Sequence, residues 1–232
     1  MIRVDTVYQR VLALANKEQR GYITPQEYNL FACQAQLEII EQYFYDLNKF
    51  SRFHGNDTEY SDMISLLNEK IDTISQNVSL VNSTGSISLP ADLYKLGTVF
   101  YNNIAADMVT RKELAKLNGT KLTKPQINWS PAYIYNGNTI EIYPQPTTSY
   151  LGGLAVEITY VPNPQCPYWG YVVVDEKAMY NPSASTDFKI HNSDESELVN
   201  RILAMAGITI QKPELVSTAT QFEQFKQTGE KQ

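Results

Sequence analysis

Residues able to do chemistry are few in this chain and lie far apart. Its 232 residues include two histidines, His54 and His191, and neither stands at metal-ligand spacing from a second ligand. A hydrolytic triad requires a nucleophile, a base and an orienting acid, and no such set is evident around either histidine. The phosphate-binding pattern G-x-x-x-x-G-K-[ST] does not occur. We therefore expect no catalytic residues, no metal site and no cofactor.

The two cysteines, Cys33 and Cys166, are far apart in the sequence, and neither belongs to a C-x-x-C pair. Cys33 falls among apolar residues of a predicted helix, which favours a buried and inert thiol. Cys166 lies in a predicted loop, where no base is evident nearby. A chain of this length needs no disulfide to hold its core, so we expect both thiols to be reduced.

One acidic run, Asp194, Glu195 and Glu197, has the residue types of a metal or acid–base site. The same residues fall in the predicted first turn of a helix, where the helix dipole favours negative charge. The dipole interpretation needs no ligand and is preferred.

One basic run stands out in a chain whose net charge is −6. Its cations are Arg111, Lys112, Lys116, Lys121 and Lys124, and Glu113 is the one acid among residues 111–124. The run is either a solvated face or an electrostatic contact, with an acidic neighbour or with the phosphates of passing DNA. A pI near 5.0 argues against a main surface that wraps nucleic acid.

The elements that position these residues begin with helices. Apolar residues at helical spacing predict a first helix, namely Val4, Val7, Tyr8, Val11, Leu12 and Ala15. Thr24-Pro25-Gln26-Glu27 is a capping box with proline at the first helical position, and it predicts a second helix that runs to about Lys49. A third run of apolar residues at helical spacing predicts a third helix, and the last of these residues is Ile74.

The spacing of the apolar residues then changes to the alternation that is typical of β-strands. Alternation predicts that residues 78–80 pair with residues 87–89 around the turn 82–85, and Asn136-Gly137 predicts a tight hairpin. Further strands are expected at 96–101, 155–161, 168–174 and 186–190, with a short helix at 112–117. A further helix is predicted at residues 194–206, with Ser193 as its N-cap, and a last helix is expected from Pro213.

This order predicts an α+β architecture in which N- and C-terminal helices form a helical frame with an inserted β-rich, antiparallel middle region. The predicted parts are an N-terminal helical part at 1–76, the β-rich insertion at 77–192, and C-terminal helices at 193–232 that pack on the N-terminal helices and end in a polar tail. Apolar runs reach five residues, far short of a membrane span, and no apolar signal core precedes them. We expect no membrane contact.

The second helix carries two apolar stripes, where a surface helix needs one. One stripe holds Tyr28, Phe31, Ala32, Ala35, Ile39 and Tyr43, and the other holds Leu30, Cys33, Leu37, Ile40, Phe44 and Leu47. Such a helix is either central in its own core or shared with a partner. We assign the first stripe to the core and predict that the second is a subunit interface.

Four stretches of the chain resemble a known family. VDTVYQRVLALANKEQRGYITPQEYN (residues 4–29) resembles the opening of structural proteins from short-tailed phages, especially crAss-like phages. IEIYPQP (140–146) and VEITYVP (156–162) resemble the β-region of head-to-tail connector proteins, and residues 197–208 are similar to their closing helix.

This resemblance implies a virion structural protein of the tail adaptor or ring type, in the neck or tail, made in the host cytoplasm. It implies a homo-oligomeric ring, twelvefold in most of the family. The ring would dock below the portal protein, contact neighbouring tail or ring proteins, and continue the DNA ejection channel without sequence-specific DNA binding. No catalytic residues carry over.

Two other functions stay open. Trp129, Tyr150 and Trp169 in the β-rich region have the residue type of a carbohydrate- or receptor-binding tail module. Aromatic residues in strands are more often core residues, which weakens that interpretation. A hydrolase using paired carboxylates is the third and weakest hypothesis.

Overall fold

A computed structural model describes residues 1–16, 23–52, 58–82, 85–145, 154–209 and 221. The helices and strands are α1 Val4–Asn16, α2 Pro25–Arg52, α3 Thr58–Asp72, β1 Gln76–Asn82, β2 Ser86–Ser88, β3 Leu93–Tyr101, β4 Ile104–Ala105, β5 Asp107–Met108, α4 Arg111–Leu117, β6 Ala132–Tyr135, β7 Thr139–Tyr143, β8 Leu154–Pro162, β9 Tyr171–Val174, β10 Lys177–Tyr180 and α5 Glu195–Thr209. Helices at both ends and sheets between them confirm the α+β prediction. The helix predicted from Pro213 falls outside the described residues.

The chain divides into two compact units. The first combines Met1–Thr73 with Pro164–Gln232, and the second is Ile74–Asn163. The predicted β-rich insertion extended to residue 192, whereas residues 164–192 belong with the helices. Strand periodicity does not report which core a strand packs against, so it cannot place this boundary. In the described part of the chain no helix is long and apolar enough to span a membrane.

In the first unit, α1 and α2 begin where the sequence predicts. The apolar face of α1 is buried, with Val4, Val7 and Val11 fully inaccessible. The capping box of α2 is formed, because Glu27 N donates to Thr24 Oγ1 at 3.3 Å and Thr24 N donates to Glu27 Oε2 at 3.0 Å. These hydrogen bonds satisfy backbone donors that the first helical turn leaves without partners. The bond from Thr24 N, together with one from Thr24 Oγ1 at 2.8 Å, lowers the pKa of the Glu27 carboxyl.

Helix α5 begins later than predicted. Asn192–Asp194 form a 3₁₀ turn, and His191 caps that turn by accepting from Ser193 N at 3.3 Å. Ser193 is therefore not the N-cap, and α5 starts at Glu195. It also continues past Gly207, since glycine weakens a helix without always ending it.

Segment 164–192 contains the β9–β10 hairpin, flanked by stretches without strands or α-helices. Trp169 is buried, and its Nε1 donates to Asp5 Oδ1 at 3.0 Å. Phe188 pairs with Ile2 through an isolated bridge, and Thr186 pairs with Tyr168 in the same way. The strand predicted at 186–190 is therefore wrong, because these residues alternate between bridges to two different segments.

The second unit contains two sheets, ordered β1-β8-β3-β4 and β2-β7-β6-β5. The predicted pairing of residues 78–80 with 87–89 is wrong, because β1 pairs with β8 and β2 pairs with β7. The β6–β7 hairpin is confirmed, with Gly137 at φ 74° in its turn. Pairing is antiparallel except between β5 and β6. Both sheets contribute to one buried cluster, formed by Ile87, Val99, Tyr101, Tyr133, Ile140, Ile142, Val156, Ile158 and Tyr160.

Candidate interaction surfaces

The first stripe of α2 lies in the core, as predicted. Tyr28, Ala32, Ala35, Ile39 and Tyr43 are buried, and Phe31 is half-buried at the border. Tyr28 also donates from its hydroxyl to the carbonyl oxygen of Val4 at 3.1 Å. Burial raises the pKa of the Tyr28 hydroxyl well above its usual value.

The second stripe of α2 has a mixed environment. Leu30 is 71% exposed, and Leu37, Phe44 and Leu47 are half-buried. Ile40 is 1% exposed, so its side chain belongs to the core of the first unit. The part of the stripe able to meet a partner is therefore Leu30 with the uncovered portions of Leu37, Phe44 and Leu47. A subunit interface here stays a prediction.

The remaining residue of that stripe, Cys33, forms a disulfide with Cys166. The expectation of two reduced thiols is therefore wrong. Their Cα atoms lie 4.7 Å apart although 133 residues separate them in sequence. The disulfide joins the N-terminal half of α2 to the segment that leads into Trp169. Spacing in the sequence carries no signal for this pair, because the fold alone brings helix and loop together.

Asp194 lies inside the first unit rather than on a solvated helix end. It is 1% exposed, and its Oδ1 accepts from Lys70 Nζ at 2.9 Å. Its Oδ2 accepts a hydrogen bond from the Tyr43 hydroxyl, and the Lys70 ammonium lies 5.5 Å from the centre of the Tyr43 ring. The polar cluster of Tyr43, Lys70 and Asp194 thus joins α2, α3 and the turn before α5.

The environment of Tyr43 keeps its hydroxyl protonated. Burial raises the pKa of Tyr43 far above its usual value, and the Asp194 carboxylate raises it further. Glu195 and Glu197 do not complete a metal site with Asp194. Glu195 pairs with Arg10 at 2.9 Å, and Glu197 pairs with Arg201 at 2.6 Å. Among the described residues, no group of three metal-ligating side chains is placed to hold an ion.

Of the two histidines, the structure describes His191, which lies in the turn before α5. His191 Nδ1 lies 2.8 Å from Ser193 Oγ and serves the turn before α5. His54 lies outside the described residues.

The basic segment, residues 111–124, is exposed at all five of its cations. It contains α4. The side chain of Glu113 takes part in the capping box of this helix, because its Oε2 accepts hydrogen bonds from Thr110 N and Thr110 Oγ1, each at 2.8 Å. These bonds lower the pKa of Glu113. Arg111 Nη2 lies 3.3 Å from Glu141 Oε1. In the described part of the chain the four lysines, Lys112, Lys116, Lys121 and Lys124, have no ion pair.

Large apolar side chains stand uncovered beside these cations. Leu122 is 92% exposed, Trp129 is 84% exposed, and Met108 is 67% exposed. Of the aromatic residues considered for a carbohydrate site, the structure describes two, and Trp129 is exposed whereas Trp169 is buried. Tyr150 lies outside the described residues. Residues 108–129, which include the segment, therefore present both positive charge and exposed apolar side chains.

A second uncovered surface was missed by the sequence analysis. Strands β9 and β10 form a hairpin with the register Val174↔Lys177, Val173↔Ala178 and Val172↔Met179. The strand predicted at 168–174 is observed at Tyr171–Val174, but the return strand was not predicted. The available signal was two runs of strand-forming residues separated by exactly two turn residues.

The base of this hairpin is anchored and its far end is not. Tyr171 and Tyr180 stack on the buried Trp169 ring, each with ring centroids 5.8 Å apart. Beyond this base every side chain from Val172 to Lys177 is exposed. Val172, Val174 and Met179 share one face, because directly paired residues of an antiparallel ladder point to the same side.

Residues 56–229 match the family model described as SU10 adaptor protein, which is about three quarters of the chain. This chain belongs to the SU10 adaptor protein family. It is therefore a phage structural adaptor protein. The resemblance to tail adaptor proteins of phages is confirmed at this level. No match was found among curated proteins.

The part of this adaptor that matches the family contains both uncovered surfaces. The basic segment and the β9–β10 hairpin fall within residues 56–229, as does α5, whereas α1 and α2 precede the matched range. The second stripe of α2 therefore draws no support from the match.

Proposed function

We propose that this adaptor is a ring-forming head-to-tail connector subunit that docks below the portal and continues the DNA channel. The observation that carries the proposal is the second stripe of α2, where Leu30 is 71% exposed beside half-buried Leu37, Phe44 and Leu47. These side chains lie on a 28-residue helix, and the exposure of their apolar surface to water is unfavourable. A neighbouring subunit in a closed ring would cover it.

The ring is twelvefold in this proposal, as the resemblance to connector proteins implies, and the narrower relation to crAss-like phages belongs to the same proposal. The subunit is made in the host cytoplasm and carried in the virion neck. It has no catalytic activity and needs no cofactor. DNA passes along the channel without sequence-specific contacts.

The test compares aspartate substitutions on the two faces of α2. Leu30→Asp and Leu37→Asp should leave the isolated chain folded, with a melting temperature within a few degrees of wild type. Both should reduce the number of copies bound per portal, measured by native mass spectrometry. Ile39→Asp should instead unfold the isolated chain, because an unpaired charge in the core costs several kcal/mol.

Leu14→Asp is the matched control, since Leu14 is an exposed leucine on α1. It should neither unfold the chain nor change the number of copies per portal. Normal assembly of both Leu30→Asp and Leu37→Asp would exclude this face of α2 from the ring. A wild-type chain that binds the portal as single copies would contradict the ring itself.

A second candidate function is carbohydrate binding in the tail, and the exposure of Trp129 is the observation that favours it. Exposed tryptophan provides a flat apolar surface with one hydrogen-bond donor. Binding of the wild-type chain to host glycans that is lost in Trp129→Ala would support this function over a purely structural one.

A further inference from the structure

The β9–β10 hairpin presents apolar area where a free hairpin gains little stability. Val172 is 51% exposed, Val174 is 52% exposed, and Met179 is 57% exposed, all on one face. A two-stranded hairpin is marginal in water unless its apolar face is covered. Such a surface indicates contact with another protein.

The hairpin turn carries two carboxylates, Asp175 and Glu176, with φ values of 48° and 61°. Aspartate adopts this backbone region readily, as do the residue types of the other described positions with positive φ, Asn102, Asn103, Gly85 and Gly137. Glutamate does so rarely, so the turn does not explain the side chain of Glu176. In the described part of the chain neither carboxylate of the turn has an ion pair.

The basic segment has complementary properties. Its four lysines are exposed and have no ion pair among the described residues, and Leu122 within the segment and Trp129 just after it provide uncovered apolar area. The hairpin thus combines a tip of net negative charge, in which Lys177 adjoins Asp175 and Glu176, with an apolar face, and the segment combines positive charge with apolar side chains. Opposite charge and shared apolar character are what two docking surfaces require.

We propose that the β9–β10 hairpin of one copy docks on the basic segment of a second copy, with Asp175 and Glu176 facing Lys121 and Lys124. This inference rests on the proposed ring, and it identifies the pair of surfaces that forms one subunit contact. The two surfaces belong to different parts of the chain, so the contact is head-to-tail. Head-to-tail contacts generate a closed ring when the rotation between copies closes.

A second copy fits the basic segment better than DNA does. Outside residues 111–124 the chain has a net charge of −10, since the whole chain is −6 and the segment is +4. Another copy therefore approaches as an acidic body, which the lysines attract. Phosphates would satisfy the lysines but would leave Leu122 and Trp129 uncovered.

The experiment is a charge exchange between the two surfaces. One variant carries Asp175→Lys with Glu176→Lys, and the other carries Lys121→Glu with Lys124→Glu. Copies bound per portal and contacts between copies are measured at low and high salt. Each variant alone juxtaposes like charges, and its association between copies should fall at least about tenfold at low salt. An equimolar mixture should restore association, because every contact in an alternating ring is then between opposite charges.

Two controls separate charge at this contact from net charge and from folding. The variant Glu69→Lys/Asp72→Lys changes the net charge by the same amount as Asp175→Lys/Glu176→Lys, but at exposed positions of α3. It should assemble normally. Asp175→Asn with Glu176→Gly should raise the melting temperature, because these residues suit positive φ, and should still weaken association.

Variants that assemble as wild type, or a mixture that fails to restore association, would overturn this contact and leave the ring proposal standing. A wild-type chain that never brings several copies to the portal would overturn both. Loss of affinity for double-stranded DNA in the Lys121→Glu/Lys124→Glu variant, with normal assembly, would assign the segment to DNA instead. A photo-crosslinker at position 174, on the same face as Val172 and Met179, should link to residues 108–130 of another copy, and a link elsewhere would also overturn the contact.

Discussion

Asp194 brings a carboxylate into the interior of the first unit, where an unpaired charge would be strongly unfavourable. Lys70 supplies the opposite charge at 2.9 Å, and the hydroxyls of Tyr43 and Ser193 donate to the same carboxylate. A buried ion pair contributes little net stability over an apolar replacement, but removal of one partner is costly. The cluster therefore specifies how α2, α3 and the start of α5 meet.

Lys70→Met should lower the free energy of unfolding by about 3–5 kcal/mol, because it leaves the Asp194 carboxylate buried without its cation. Chemical denaturation followed by far-ultraviolet circular dichroism measures this loss. Lys112→Met is the control, since Lys112 is exposed on α4, and it should change stability by less than about 0.5 kcal/mol.

The double variant Lys70→Met/Asp194→Asn distinguishes pairing from packing. It removes both charges, so it should be more stable than Lys70→Met alone. Additive losses from the two substitutions would show that Lys70 contributes through its aliphatic stem and not through the ion pair.

Elements formed by local interactions could be predicted from the sequence, and those formed by distant ones could not. The capping box at Thr24 and Glu27 and the apolar repeat that follows specify α2 without reference to the rest of the chain. The pairing of β1 with β8 joins Val78 to Ile158, and no local pattern distinguishes this partner from the nearer β2. The disulfide between Cys33 and Cys166 also joins residues that are distant in the sequence, so no local pattern predicts it.

The surfaces were predictable in part. Charge alone identified the basic segment, and the exposure of its lysines agrees with either a solvated or a contacting face. The stripe of α2 was predicted as a unit, but Ile40 is covered by the chain's own fold. Periodicity gives the direction of a side chain, whereas tertiary packing decides whether its own chain covers it.

The disulfide should stabilise the packing of α2 against segment 164–192, because it closes a loop between residues 133 apart. Cys33→Ala/Cys166→Ala should lower the free energy of unfolding by about 2–5 kcal/mol. Wild-type protein treated with a reductant should lose the same stability, and the double variant should not respond to the reductant. Rapid alkylation of both thiols in the folded, air-oxidised chain would contradict the pairing.

At the scale of the whole molecule, the chain is a helical unit interrupted by a complete β-rich unit. The second unit has its own buried cluster, to which both of its sheets contribute. Its first and last strands pair with each other, with Gln76 opposite Tyr160. The two ends of Ile74–Asn163 therefore leave the unit side by side, as expected for an insertion that a host domain tolerates.

This arrangement predicts that the two units fold separately. A fragment of residues 74–163 should unfold cooperatively on heating, because it retains both sheets and the whole of their shared core. A chain in which a short Gly-Ser linker joins Thr73 to Pro164 should keep the helices, the disulfide and the Tyr43–Lys70–Asp194 cluster. Dispersed amide signals in two-dimensional NMR spectra of both proteins, overlaying those of the full chain, would support this. A fragment that is unfolded while the full chain is folded would show that the second unit depends on the first for its stability.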